Sequence, residues 1–91
     1  MIQFEKHMKN TKLNELFSET VGWIGVLSLL LAYGLLSFDV VAPHDLLYHV
    51  LNLIGGTGII IDAVADRNWQ PAALNVVWIG IALYSISTVI F

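Results

Sequence analysis

Tyr48-His49-Val50-Leu51-Asn52-Leu53-Ile54-Gly55-Gly56-Thr57-Gly58-Ile59-Ile60-Ile61-Asp62-Ala63-Val64-Ala65-Asp66 is the stretch whose reading decides the fold. Tyr48, Asn52, Gly55, Ile59, Asp62 and Asp66 recur at alternating spacings of four and three. A helix places such residues on one face and leaves its other faces almost wholly aliphatic here. A helix apolar on most sides belongs in a bilayer. There a buried amide or carboxylate costs several kcal/mol unless it has a partner, so the polar stripe must face protein or trapped water rather than lipid.

The rest of the chain agrees with a membrane setting. Of 91 residues, 57% are hydrophobic and only 12% charged, against roughly a quarter charged in soluble domains. Three apolar runs, Val21 to Phe38, Leu46 to Ala65 and Ala72 to Phe91, each approach the roughly 20 residues that cross about 30 Å of hydrocarbon. The predicted fold is therefore an all-α membrane protein, a triple-helix bundle with spans at about 20–38, 44–65 and 71–91. Residues 1–18 form a separate interfacial segment, and 19–91 the transmembrane domain. No cleavable signal peptide is expected, because some twenty mostly polar residues precede the first apolar run. The chain has no cysteine, which removes disulfide, thiolate and iron–sulfur chemistry.

The N-terminal segment mixes Lys6, Lys9 and Lys12 with Glu5, Glu15 and Glu19. It reads as frayed to about Asn10 and then as a short interfacial helix from Thr11, or as a solvated tail that only fixes orientation. All four basic residues, the three lysines and Arg67, lie on one side if the N-terminus is cytoplasmic. A multi-pass membrane protein with its C-terminus outside is the expected topology. Trp23, Tyr33 and Trp69 read as interface anchors.

Small residues at helical spacing mark the packing faces. Gly22, Gly25, Ser28 and Ala32 in the first span let another backbone approach closely. In the third span Asn75, Trp78, Ala82 and Ser85 share one face, and Gly80, Tyr84 and Ser87 another. Folding the second and third spans as a hairpin about Asn68 sets Asp62 level with Asn75, Ile59 with Trp78, Gly55 with Ala82, and Asn52 with Ser85. The same operation about the first turn sets Gly25 beside Gly58 and Ser28 beside Gly55.

These alignments outline a seam lined by Tyr48, Asn52, Gly55, Asp62, Asn75, Trp78 and Ser85, which could pass a small solute or a proton. In the alternative, the two asparagines are interhelical glue and Asp62 reaches the interface from one turn inside the helix end. Pro43 is expected at the first position of the second helix and Asp45 in its first turn. His44, Asp45 and His49 could hold a metal, but so loosely placed a set at a wet interface is weak evidence and cap and rim roles are preferred; no metal or cofactor is assigned. No nucleophile with a base and no catalytic pair of carboxylates can be assembled, so no enzyme is expected. Four basic residues make no nucleic-acid patch.

Leu31-Ala32-Tyr33, Leu47-Tyr48-His49-Val50-Leu51-Asn52-Leu53-Ile54-Gly55 and Ala73-Leu74-Asn75-Val76-Val77-Trp78 resemble a family of small three-helix bacterial inner-membrane proteins of unassigned function. The hairpin with Pro71 followed by Ala-Leu-Asn is also similar to the second half of the SemiSWEET and PnuC type of triple-helix transporter unit. That likeness implies Asn75 and Trp78 as solute contacts at a dimer axis. Three spans enclose too little protein for a pathway, so the transporter-like reading requires a homodimer or higher homo-oligomer. A non-transporting scaffold or accessory subunit that packs on partner helices is the competing expectation.

Overall fold

The computed structural model describes the backbone of residues 2–91 and side chains from Lys12 onward. Side-chain readings for Lys6 and Lys9 lie outside the described residues. The chain folds as three helices, α1 (Ile2–Ser37), α2 (Leu46–Ala65) and α3 (Trp69–Ile90). All three are long and apolar enough to cross a membrane, with Lys12–Ser37 the apolar part of α1.

A frayed tail is expected before Thr11, but α1 continues back to Ile2. Neither glycine nor proline occurs before Val21, and a run of Glu, Lys, Met and Leu carries the helix outward. At 36 residues and about 1.5 Å per residue, α1 sets the long dimension of the molecule, 56 Å.

Both turns close in the same way. Val40 N–H donates to Leu35 C=O at 2.9 Å and Asp39 N–H to Leu36 C=O at 3.1 Å, with Asp39 at φ 61°. At the second turn Asn68 N–H donates to Ala63 C=O at 2.8 Å and Arg67 N–H to Val64 C=O at 3.1 Å, with Arg67 at φ 54°. Each is a Schellman stop, which satisfies the last carbonyls of a helix and needs one left-handed residue. Aspartate tolerates that conformation better than most; arginine has no such excuse. The helix starts three residues later than expected, at Leu46, so Pro43 lies in the turn before it and Asp45 just outside its first turn. Asp45 is the N-cap of α2, and its carboxylate turns back to accept the Ala42 N–H at 2.7 Å rather than entering the helix. Pro71, by contrast, falls in the first turn of α3, where its missing N–H has no intrahelical partner to lose.

Helix α2 is central. Both α1 and α3 pack on it, and among the described residues no Cα of α1 comes within 8 Å of one in α3. The reason is the distribution of small residues, because only α2 has two slim sides. With roughly 100° between successive residues, Gly55, Gly58 and Asp62 point to one side and Asn52, Gly56 and Ala63 to another, about a quarter turn away. The first side meets α1. A Cβ on Gly58 would lie 2.6 Å from Val21 C=O and 3.1 Å from Gly25 Cα, and one on Gly25 would lie 2.6 Å from Gly55 C=O. The expected Gly25–Gly58 contact is therefore present. The expected Ser28–Gly55 contact is not, since Gly55 faces Leu29. Ser28 donates to its own Ile24 carbonyl at 2.8 Å, which satisfies the hydroxyl without a neighbour.

The second side of α2 meets α3 through Gly56, which faces Ile79 and the Asn75 backbone. Ala72, Asn75 and Ala82 are the buried residues of α3. Gly80 and Gly34 have nothing within 4 Å and belong to the outer surface, as do Tyr33 and Tyr84.

Candidate functional site

Two seams on adjacent sides of α2 leave a groove between α1 and α3, and the middle of the polar stripe forms its floor. Tyr48, Ile59 and Asp66 lie between the two seams. The six-residue stripe thus does share a face, but Asn52 turns toward α3 while Gly55 and Asp62 turn toward α1. Cavities open at both ends.

At the first-turn end a pocket of about 240 Å³ is lined by Tyr48, His49 and Asn52 of α2 and by Trp78, Ile81, Ala82 and Ser85 of α3. Asn52 is its organising residue. Only 6% exposed, it accepts the Trp78 indole N–H on Oδ1 at 2.9 Å and donates Nδ2–H to the Tyr48 carbonyl at 2.7 Å. The first bond crosses between helices; the second fixes the amide's rotation. Ser85 donates to Ile81 C=O at 2.9 Å, leaving its lone pairs free to accept. The Tyr48 and His49 rings meet edge to face, centroids 5.3 Å apart.

At the second-turn end a wider cleft, about 580 Å³, runs from Glu15, Glu19, Gly22, Trp23 and Val26 on α1 across Ile59, Asp62, Ala63 and Asp66 to Asn68 and Pro71. Asp62 lies against Gly22, where a Cβ would collide with its carboxylate. Trp23 is therefore more than a lipid anchor, since one side of it lines this cleft. Among the described residues no three His, Asp or Glu side chains converge as metal ligands would.

The seam inferred from the sequence is thus divided. Tyr48, Asn52, Trp78, Ala82 and Ser85 come together in the first-turn pocket, while Asp62 belongs to the acidic cleft and Gly55 to the α1 seam. Asn75, 5% exposed, donates to the Pro71 carbonyl at 2.8 Å and braces the start of α3. The expected pairing of Asp62 with Asn75 and of Ile59 with Trp78 is out by about one turn. The helices stop at Ala65 and restart at Trp69, which centres the hairpin on Arg67, and the long indole then reaches Asn52. Both asparagines are covered within one protomer, so they do not by themselves demand a second copy.

Sequence reasoning missed His49, Ile81, Glu15 and Glu19 as lining residues. Helical spacing of Glu15 and Glu19 from Gly22 was the available signal for the cleft. For His49, adjacency to Tyr48 at the first-turn end was the only one.

No curated protein and no solved structure matches the chain, so the likeness to SemiSWEET and PnuC units has no match behind it. A family model does match, over residues 18–91, from the start of the first seam to the C-terminal residue. It takes in the second and third membrane helices, most of the first, the first-turn pocket and all of the larger cleft except Glu15, and the chain, a small membrane protein, belongs to that family.

Proposed function

We propose that this protein is a transporter-like half unit of a bacterial inner membrane, N-terminus cytoplasmic, that assembles as a homo-oligomer around a path for a small neutral solute. The observation that carries the proposal is the open groove: α1 and α3 both pack on α2 with their backbones apart, and the polar stripe of α2 opens into a cleft reaching from α1 to the start of α3 at one end and into the Asn52 pocket between α2 and α3 at the other. One protomer leaves that groove facing the bilayer. A second copy across it supplies the missing wall, and a parallel dimer about an axis along the membrane normal does so with like ends together. No aspartate, glutamate, lysine or arginine lines the first-turn pocket, which this orientation places outside, and that favours an uncharged solute.

Osmotic swelling of vesicles containing the purified protein, challenged with small polyols, amides and monosaccharides, tests this. Faster entry of at least one neutral solute than in protein-free vesicles, slowed by Asn52→Leu, is the expected result. Entry at the protein-free rate for all of them sinks the reading.

The scaffold alternative draws on a different observation. Glycine-to-glycine contact on α1 and the Asn52–Trp78 bond already seal both seams, as a purely packing module would require. A stable oligomer or partner complex with no solute entry would favour it.

A further inference from the structure

Asn52 can make four hydrogen bonds and makes two. It is more than nine-tenths buried yet lines the outer pocket. One amide N–H and one carbonyl lone pair remain for an occupant at a depth of about two helical turns, where water is scarce and an unmet polar group is costly. Beside it Ser85 Oγ, already donating to Ile81, can only accept, and the Trp78 indole, 43% exposed, forms one wall.

We infer that the outer pocket binds an uncharged molecule carrying one group that both donates and accepts a hydrogen bond, a primary carboxamide being the best fit, on a small flat apolar body. The carboxamide carbonyl accepts from the free Asn52 N–H, and its NH₂ donates to Asn52 Oδ1 and Ser85 Oγ. The flat body lies against Trp78, Ile81 and Ala82. At about 240 Å³ the pocket holds about eight water-sized volumes of roughly 30 Å³ each, which suits a single ring bearing an amide. A carboxylate of the same shape fits less well, because it has no donor for Asn52 Oδ1 or Ser85 Oγ and neither lysine nor arginine lines the site. This rests on the proposal that the outer pocket is a solute site.

Benzamide is the probe, with benzoate and toluene as controls. In the full chain reconstituted in lipid, Trp23→Phe and Trp69→Phe leave Trp78 as the only tryptophan, and its emission reports the pocket directly. Benzamide should change that emission saturably, benzoate and toluene should not, and Asn52→Leu should weaken the response at least about tenfold, the loss of one to two hydrogen bonds. Should Asn52→Leu fail to fold, Ser85→Leu blocks the pocket mouth while leaving the Asn52–Trp78 bond, and should abolish saturation. A linear response, an equal response to toluene, or one unaffected by either variant means partitioning into lipid or an acyl-chain cleft and overturns the inference. Saturable benzamide binding with no solute entry in swelling assays sinks the transport proposal alone; solute entry with no benzamide binding sinks this inference alone.

Discussion

Gly58→Ala should be among the most damaging single methyl groups that can be added to this protein. A Cβ there would stand 2.6 Å from the Val21 carbonyl oxygen and 3.1 and 3.2 Å from the Gly25 Cα and N. All three are backbone atoms, so no side-chain rotation relieves the clash. Restoring an ordinary carbon-to-oxygen separation of about 3.3–3.6 Å requires α1 to retreat by about 0.7–1 Å. A gap of that size forfeits a quarter to a half of the dispersion energy along the seam, and overpacking of this kind typically costs about 1–3 kcal/mol. We expect about 2–3 kcal/mol for Gly58→Ala, because lipid offers no hydrophobic drive to hold displaced helices together. Gly25→Ala meets Gly55 C=O at 2.6 Å and Ile59 N at 2.9 Å and should cost as much. Gly56→Ala meets only the Ile79 side chain, at 3.0 Å, and should cost about 1 kcal/mol or less. Gly34→Ala and Gly80→Ala have open space and should be neutral or stabilising by up to about 1 kcal/mol through helix propensity. Reversible unfolding in lipid-containing micelles, followed by far-UV circular dichroism, gives all five differences on one scale. A Gly58→Ala value within about 0.5 kcal/mol of Gly80→Ala, the ordinary scatter of surface changes, would refute the α1–α2 contact.

Three further outcomes follow from other parts of the structure. Trp78→Phe removes the donor to Asn52 Oδ1, and a double-mutant cycle with Asn52→Leu should show a coupling of about 0.6–1.7 kcal/mol, as for membrane interhelical bonds elsewhere; additivity would mean the bond is absent in lipid. Arg67, at φ 54°, should tolerate glycine without loss and lose about 1–2 kcal/mol on change to valine, whose branched Cβ fits the left-handed region worst; equal unfolding midpoints for the two would contradict the turn geometry. Because the chain has no cysteine, Asn68→Cys and Asp39→Cys can be labelled singly in intact cells with a membrane-impermeant thiol reagent. The proposed orientation has only the Asp39→Cys protein react from outside, and the reverse pattern would invert the topology.

How much of this was legible beforehand depends on the kind of residue. Apolar runs and turn residues put α2, α3 and the end of α1 within a few residues of their observed bounds, because bilayer thickness fixes length and Schellman stops fix where α1 and α2 give way; the start of α1 lies well before the apolar run that predicted it. Gly25 and Gly58 were legible as partners, since close approach demands the absence of a Cβ on both sides. Ser28 was misleading, because its hydroxyl is satisfied within α1 and says nothing about a neighbour. The mate of Trp78 was missed because a long side chain spans about a turn of register, which spacing arithmetic on Cα positions ignores.

From composition and periodicity alone came the membrane setting, the count of spans, and the fact that polar side chains on α2 lie on one face; each follows from solvation energetics that any fold must obey. Only the tertiary structure could split that face into two seams with a groove between them. Which neighbour a small residue admits depends on the angle at which both other helices reach α2. That angle is a joint property of three packed surfaces, and no single stretch of chain contains it.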